Sequence, residues 1–458
     1  MTRTIFALTI ALATLAALPA PPAAAQPSPP LRLSVAEAVA RGFEASHRLG
    51  EIRARARGAQ ASVEGAQAAD KPTFNAAAGY TRTNHVAEFG FTQPTGVRVV
   101  VFPDIPDNFI TRVGMQWPIY TSGRTDALER AAQAEAQAVG ADLETARADL
   151  RFEIVRAYWA AATAREAARV IGESVARAEA QLNDARQRFA VGLIPPNEVS
   201  SLEAQRSREQ AQLIEARNLQ ESTLIELRRL VGAPHDTVIE LTDTLDAVLG
   251  GSGRFGEVRG GAGRAGGSEP LVNEALAARP ERKALTFRIG GAEARQQAVL
   301  ALNKPTVAVG STVDWANPNA KIFPRQSAWL NSWELGVSVG WAVFDWGRTK
   351  AQASEAAALA EATRERLAEF DTVVAADVRQ RLLDLDSSLA LVQAASDAVK
   401  SAAEARRVVG DRFNAGVATS TDVLVAQVAL LENGLARTRA LASVKLAEAR
   451  LQRAVGRP

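Results

Sequence analysis

Two periodicities divide the chain. Short stretches alternate apolar with small or polar residues, and long stretches repeat apolar residues every three or four positions. Over 306–315, Val307, Val309, Val313 and Trp315 share one face, while Ala308, Gly310, Thr312 and Asp314 share the other. Over 332–344, Trp333, Leu335, Val337, Val339, Trp341 and Val343 oppose Ser332, Glu334, Gly336, Ser338 and Gly340. A weaker alternation over 109–120 sets Phe109, Val113, Met115, Trp117 and Ile119 against Arg112, Gly114 and Gln116, and it predicts a partner strand at 73–81. The helical pattern is clearest from Leu150. Leu150, Ile154, Ala157, Ala161, Ala164 and Ala168 lead into Ile171, Val175, Ala178, Leu182, Ala185 and Phe189 with strict 4,3,4,3 spacing. This is the seam of a coiled coil, rich enough in alanine for helices to approach closely. It predicts a helix from 125 to 190, about 100 Å long at 1.5 Å per residue. A return helix over 197–231 and a preceding one over 34–69 are each about half that length, so stacked end to end they flank it. In the second half of the chain the seam recurs at Val374, Val378, Leu385, Val392, Val399 and Val409, interrupted by Arg381 and Arg406.

The recurrence is a duplication of the whole pattern. The run from Trp117 to Thr125 (WPIYTSGRT) matches the run from Trp341 to Thr349 (WAVFDWGRT) at an offset of 224 residues. Arg188-Phe189 and Gly192 match Arg412-Phe413 and Gly416 at the same offset, while Lys71-Pro72 matches Lys304-Pro305 at an offset of 233. The predicted organisation is a first repeat over 26–249, a linker over 250–268 that contains nine glycines, and a second repeat over 269–458. In the second repeat the helical hairpin is expected over 349–455. The segments 81–108 and 316–331, rich in Pro, Asn and Phe, are expected to be loops.

Composition narrows the chemistry. Arg3, the apolar run 5–18 and Ala23-Ala24-Ala25 form an export signal predicted over 1–25. No later stretch is apolar enough for a membrane helix, so membrane residence would require a β-barrel. The charge of +2 argues against a nucleic-acid binder. Without cysteine and with three scattered histidines, no thiolate or histidine metal site is expected, nor a cofactor, and no acid–base pair or phosphate loop suggests an enzyme. Strands of this length suit a tilted bilayer crossing, and tryptophans near their ends suit interfacial belts. The same alternation also fits an ordinary half-buried soluble sheet. Four strands cannot close a barrel, so a barrel would need several chains.

Taken together, the duplication, the Gly-Arg turns (Gly123-Arg124, Gly347-Arg348) and the hairpin tips resemble the TolC family of outer-membrane efflux proteins. The resemblance covers about 31–250 and 269–456. It implies an α+β membrane protein: a homotrimer with a twelve-stranded transmembrane β-barrel in outer-membrane lipid and a periplasmic α-helical barrel. It also implies a periplasmic adaptor and an inner-membrane transporter as partners, in tripartite efflux or type I secretion. The tips Val191-Gly192-Leu193 and Ala415-Gly416-Val417 would meet the adaptor, although a helix–helix turn alone also requires such residues. Asp422 would contribute to an acidic gate at the periplasmic entrance, with Glu198 as its repeat equivalent. Asp422 equally suits a helix-start carboxylate, and Val425 replaces the second aspartate of the family pattern. The rival reading is a soluble periplasmic coiled-coil adaptor or scaffold.

Overall fold

The computed structural model describes residues 30–248 and 268–457. The predicted export signal and nearly all of the Gly-rich stretch lie outside these residues. In chain order the elements begin with β1 (Leu31–Leu33), α1 (Val35–Ala45), α2 (His47–Ala68), β2 (Thr73–Arg82), β3 (Phe89–Thr92), β4 (Arg98–Phe102) and β5 (Asp107–Tyr120). Next come α3 (Arg124–Ala190), α4 (Pro196–Leu230), β6 (Ile239–Leu241) and a 3₁₀ turn at Leu245–Val248. The second half contains α5 (Glu269–Ala278), α6 (Pro280–Leu300), β7 (Thr306–Asn317), β8 (Leu330–Gly340), α7 (Arg348–Asn414) and α8 (Ser420–Val455).

One antiparallel sheet joins the two halves in the order β2-β5-β7-β8. Its register keeps like with like. Tyr80 lies opposite Phe109, Val113 opposite Val313, and Val309 opposite Val337. One face is therefore mostly apolar, with Thr111 and Ser311 among its polar members, and the other is mostly small and polar, with Ile110 as an exception. The apolar face is uncovered: Trp333, Leu335, Val337 and Val339 are 65–73% exposed. Among the described residues nothing pairs with the outer side of β2 or of β8.

Three local expectations are corrected. The strand expected over 332–344 stops at Gly340, which pairs with Thr306, the first residue of β7. Pro305 precedes it and has no N–H to extend the ladder. The helix expected over 34–69 breaks at Ser46, whose Oγ accepts the Leu49 amide (3.2 Å) and caps α2. The stretch 81–108, expected to be a loop, contains the β3–β4 hairpin.

The helices pack along α3. Gln67 and Arg48 of the α2 helix donate to Glu129 (2.9 Å) and Glu153 (3.1 Å), so α2 flanks the first part of α3. Arg186 reaches Glu203 of α4 (2.6 Å) near the other end. Eleven of the twelve seam residues from Leu150 to Ala185 are buried, and Phe189 at the tip is exposed. Arg381, which interrupts the second seam, is held by Asp377 (3.1 Å) and Asp384 (3.2 Å) on its own helix.

The largest apolar cluster sits midway along the molecule, where β1 pairs in parallel with β6. Tyr158 is fully buried there. Its hydroxyl donates to the Leu33 carbonyl (2.9 Å) and accepts the Asp243 amide (3.0 Å). In Tyr158→Phe the Leu33 carbonyl keeps the Thr242 amide (3.0 Å), but the Asp243 amide loses its partner. The expected cost is about 1–3 kcal/mol, read as a lower midpoint for thermal loss of helical circular dichroism. An unchanged midpoint would contradict this account of the cluster.

Candidate functional site

Each long helical hairpin ends in a tight turn closed by a left-handed glycine. At the first, Gly192 has φ +73°, its amide bonds the Phe189 carbonyl (2.9 Å), and the Leu193 amide bonds the Arg188 carbonyl (2.9 Å). At the second, Gly416 has φ +76°, with matching bonds from Gly416 to Phe413 (3.0 Å) and from Val417 to Arg412 (2.9 Å). Both turns tie off helix carbonyls that would otherwise lack partners. They also push small apolar side chains outward: Val191, Leu193 and Val417 are 66–73% exposed, and Ala415 is exposed beside them.

Asp422 lies in the first turn of α8. Thr419 precedes that helix, and the two form a reciprocal capping box. The Asp422 carboxylate accepts from the Thr419 amide (2.9 Å) and hydroxyl (2.8 Å), and the Asp422 amide donates back to that hydroxyl (3.2 Å). These two donors hold its pKa below the ordinary aspartate value. Glu198 occupies the same place on α4, but there the cap residue is Pro195, which offers no side-chain bond. Val425 is exposed one turn beyond Asp422.

The two tips also touch. The Arg188 guanidinium lies 5.0 Å from the centre of the Phe413 ring and donates to Asn414 (3.4 Å). Asp184 on the same helix holds it in place (2.9 Å). This clasp between the hairpins, formed across 226 residues of sequence, is not visible in the pattern. Only the repeated Arg-Phe pair hints that an arginine of one tip could meet the phenylalanine of the other.

A second cluster lies on the small-residue face of the sheet, at the end away from the helices. Arg112 grips Asp314 through two bonds (2.7 and 3.1 Å). Lys321, from the β7–β8 loop, reaches over to Asp314 (3.2 Å) and Glu334 (2.9 Å), and Thr312 donates to Glu334 (2.8 Å). Alternation alone places Arg112, Asp314 and Glu334 on one face, but only the register makes them a cluster, and Lys321 comes from a loop without periodicity. Two cations and two anions leave that surface locally neutral.

The fold is thus an open-edged sheet with a mostly apolar and a mostly polar face, attached to paired helical hairpins about 100 Å long. The comparisons agree. The model of the family described as outer membrane efflux protein matches residues 43–233 and 271–457. The chain belongs to that family of outer membrane efflux proteins and is not an enzyme. No curated protein sequence matches it. Among solved structures it is similar to the outer membrane protein VceC of Vibrio cholerae, at 20% identity and TM-score 0.73, over 92% of this chain and 96% of that one. It is also similar to a membrane protein from Pseudomonas aeruginosa, at 18% identity and TM-score 0.76, over 92% of each chain. A third is the open state of the MtrE outer membrane channel of Neisseria gonorrhoeae, at 18% identity and TM-score 0.71, over 92% and 89%. At these identities the likeness is one of fold.

The cap at Asp422 has a pH signature. Because its native pKa is lowered, its contribution is complete above the unfolded value of about 3.9 and is lost as the pH falls through the native value. Asp422→Ala should therefore lower the protection of amides in the first turn of α8 at neutral pH, measured as the exchange rate relative to the intrinsic rate at that pH, and protonating Asp422 in the unsubstituted protein should lower it likewise. Equal exchange at neutral pH would show that the box does not hold this turn.

Proposed function

We propose that three copies of the chain form one exit duct. Each contributes four strands to a twelve-stranded barrel in the outer membrane and two helical hairpins to a tube reaching across the periplasm. The observation that carries this reading is the sheet itself: its apolar face is exposed, and β2 and β8 have unpaired outer sides. In lipid each unpaired backbone group costs several kcal/mol, so such a sheet must find strands from other chains. The helices support the same reading. Ile214, Leu219 and Ile225 on α4, with Leu383, Leu391 and Val408 on α7, are exposed apolar side chains suited to neighbouring helices.

The duct conducts passively. An inner-membrane transporter supplies energy and substrate, in tripartite efflux or type I secretion, and a periplasmic adaptor joins it to the duct. Val191, Gly192 and Leu193, with Ala415, Gly416 and Val417, meet the adaptor. Asp422, with Glu198, lines the periplasmic entrance, where three copies of each would draw cations inward.

Fractionating cells that express the full chain tests the reading. Recovery in outer membranes after salt and carbonate washing, a native mass of three chains and ion conductance in planar bilayers are expected. Recovery as soluble periplasmic protein would leave the coiled-coil scaffold standing instead. Deleting residues 413–418 should abolish export, measured as drug susceptibility or loss of a secreted polypeptide, while the trimer persists; export that survives would remove the tip from its role. Lys321→Gln would leave the Asp314 and Glu334 carboxylates in excess over Arg112. The reversal potential in a salt gradient should then shift toward cation selectivity, and an unchanged value would place this cluster away from the ion path.

A further inference from the structure

The two halves of the chain repeat each other down to single hydrogen bonds. Trp117 Nε1 donates to the Asp70 carbonyl (2.9 Å), and Trp341 Nε1 to the Asn303 carbonyl (3.0 Å). Thr73 Oγ1 donates to the Gln116 carbonyl (3.2 Å), and Thr306 Oγ1 to the Gly340 carbonyl (3.2 Å). Ser122 and Gly123 have φ of +53° and +79°, and Trp346 and Gly347 have +57° and +82°. The hairpin β2–β5 thus maps onto β7–β8, with β2 shifted by 233 residues and β5 by 224.

Within the chain the two hairpins join at β5–β7, where Gly114 lies opposite Thr312, Trp117 opposite Val309 and Tyr120 opposite Val307. In a closed barrel strand tilt and stagger are linked. A ring of six like hairpins therefore uses one stagger at every junction. Carrying β5–β7 through the repeat offsets gives the junction that the chain leaves open. We infer that β8 of one copy pairs antiparallel with β2 of the next, with Ser338 opposite Gly79, Trp341 opposite Ala76 and Phe344 opposite Phe74; this rests on the three-copy barrel proposed above.

Two features of the chain support this register. Side chains fall on matching faces: Ser338 and Gly79 on the small polar face, Trp341 and Ala76 on the apolar one. It also explains the short β8. Residues 117–120 are strand because β7 pairs with them, whereas their equivalents 341–344 have no such neighbour within the chain. Val343 and Phe344 are accordingly 74% and 72% exposed. In the assembly 341–344 become strand against the adjoining copy. The two junctions differ chemically, because Arg112 and Asp314 map onto Gly336 and Thr81. The ion pair therefore spans only the junction within each chain.

The natural absence of cysteine makes the test clean. The double variant Gly79→Cys/Ser338→Cys is purified from outer membranes and oxidised, or treated with a short bifunctional thiol reagent. A cysteine side chain has room at Gly79, where the nearest atom would lie 3.5 Å from its Cβ. Within one chain β2 and β8 are separated by two strands, about 14 Å at the usual spacing, too far for a disulfide. Conversion of the monomer band into covalent dimer and trimer on a denaturing gel is expected. Gly79→Cys paired with Gly336→Cys or with Gly340→Cys, each two residues out of register, should link little. Stronger linking by either of these, or none by any pair in a protein whose native mass is three chains, would overturn the register and leave the barrel intact. A native mass other than three chains would overturn the barrel and the register with it.

Discussion

Among the described residues, backbone amides and carbonyls along the outer sides of β2 and β8 have no ladder partners, and what the sheet can be surrounded by depends on that lack. In water the groups could bond solvent. Against lipid they could not, and Trp333, Leu335, Val337 and Val339 of β8 are exposed on the same sheet. On the three-copy reading proposed above, strands from neighbouring copies satisfy these edges and hold the attached helices in a ring.

The helical part meets a different demand. A helix of about 100 Å cannot be stabilised by one core, so burial is distributed along a seam. Small seam residues bring α3 close to its neighbours, while α2 and α4 divide its length. Among the described residues the largest apolar cluster lies around Tyr158 and the β1–β6 pair, with two smaller ones further along α3. The tips lie far from it. They are held by glycine turns, a capping box, the Arg188 contact with Phe413 and a small apolar cluster in which Ile194, Val199 and Leu424 pack on Leu182, Ala185 and Leu202. An end secured by a small set of contacts can open locally at less cost than the middle.

The sequence made much of this legible. Period-two alternation separated the two faces of the sheet because successive side chains of a strand point to opposite faces. The 4,3 spacing located α3 because its burial is continuous. The shared offset exposed the duplication, and glycine at 192 and 416 marked the turns. Less visible were features without periodicity. Ser46 ends one helix and starts another through a single hydroxyl, and β3 and β4 lie in a segment whose Pro, Asn and Phe residues suggested a loop. Asp422 could be read as a gate or as a cap; the observed bonds give it a capping role within the chain.

By itself, then, the sequence determined the kinds of element, their order and the side each would present. Those properties depend on neighbours a few positions away, and periodicity records them. Only the tertiary structure decided which distant residues meet. Arg112 finds Asp314 because β5 pairs with β7 in one register, Lys321 joins them because its loop folds over that end of the sheet, and Arg188 reaches Phe413 because the two tips are adjacent. Those contacts are set by strand stagger and by the relative height of the helical hairpins, quantities that no local pattern of residues encodes.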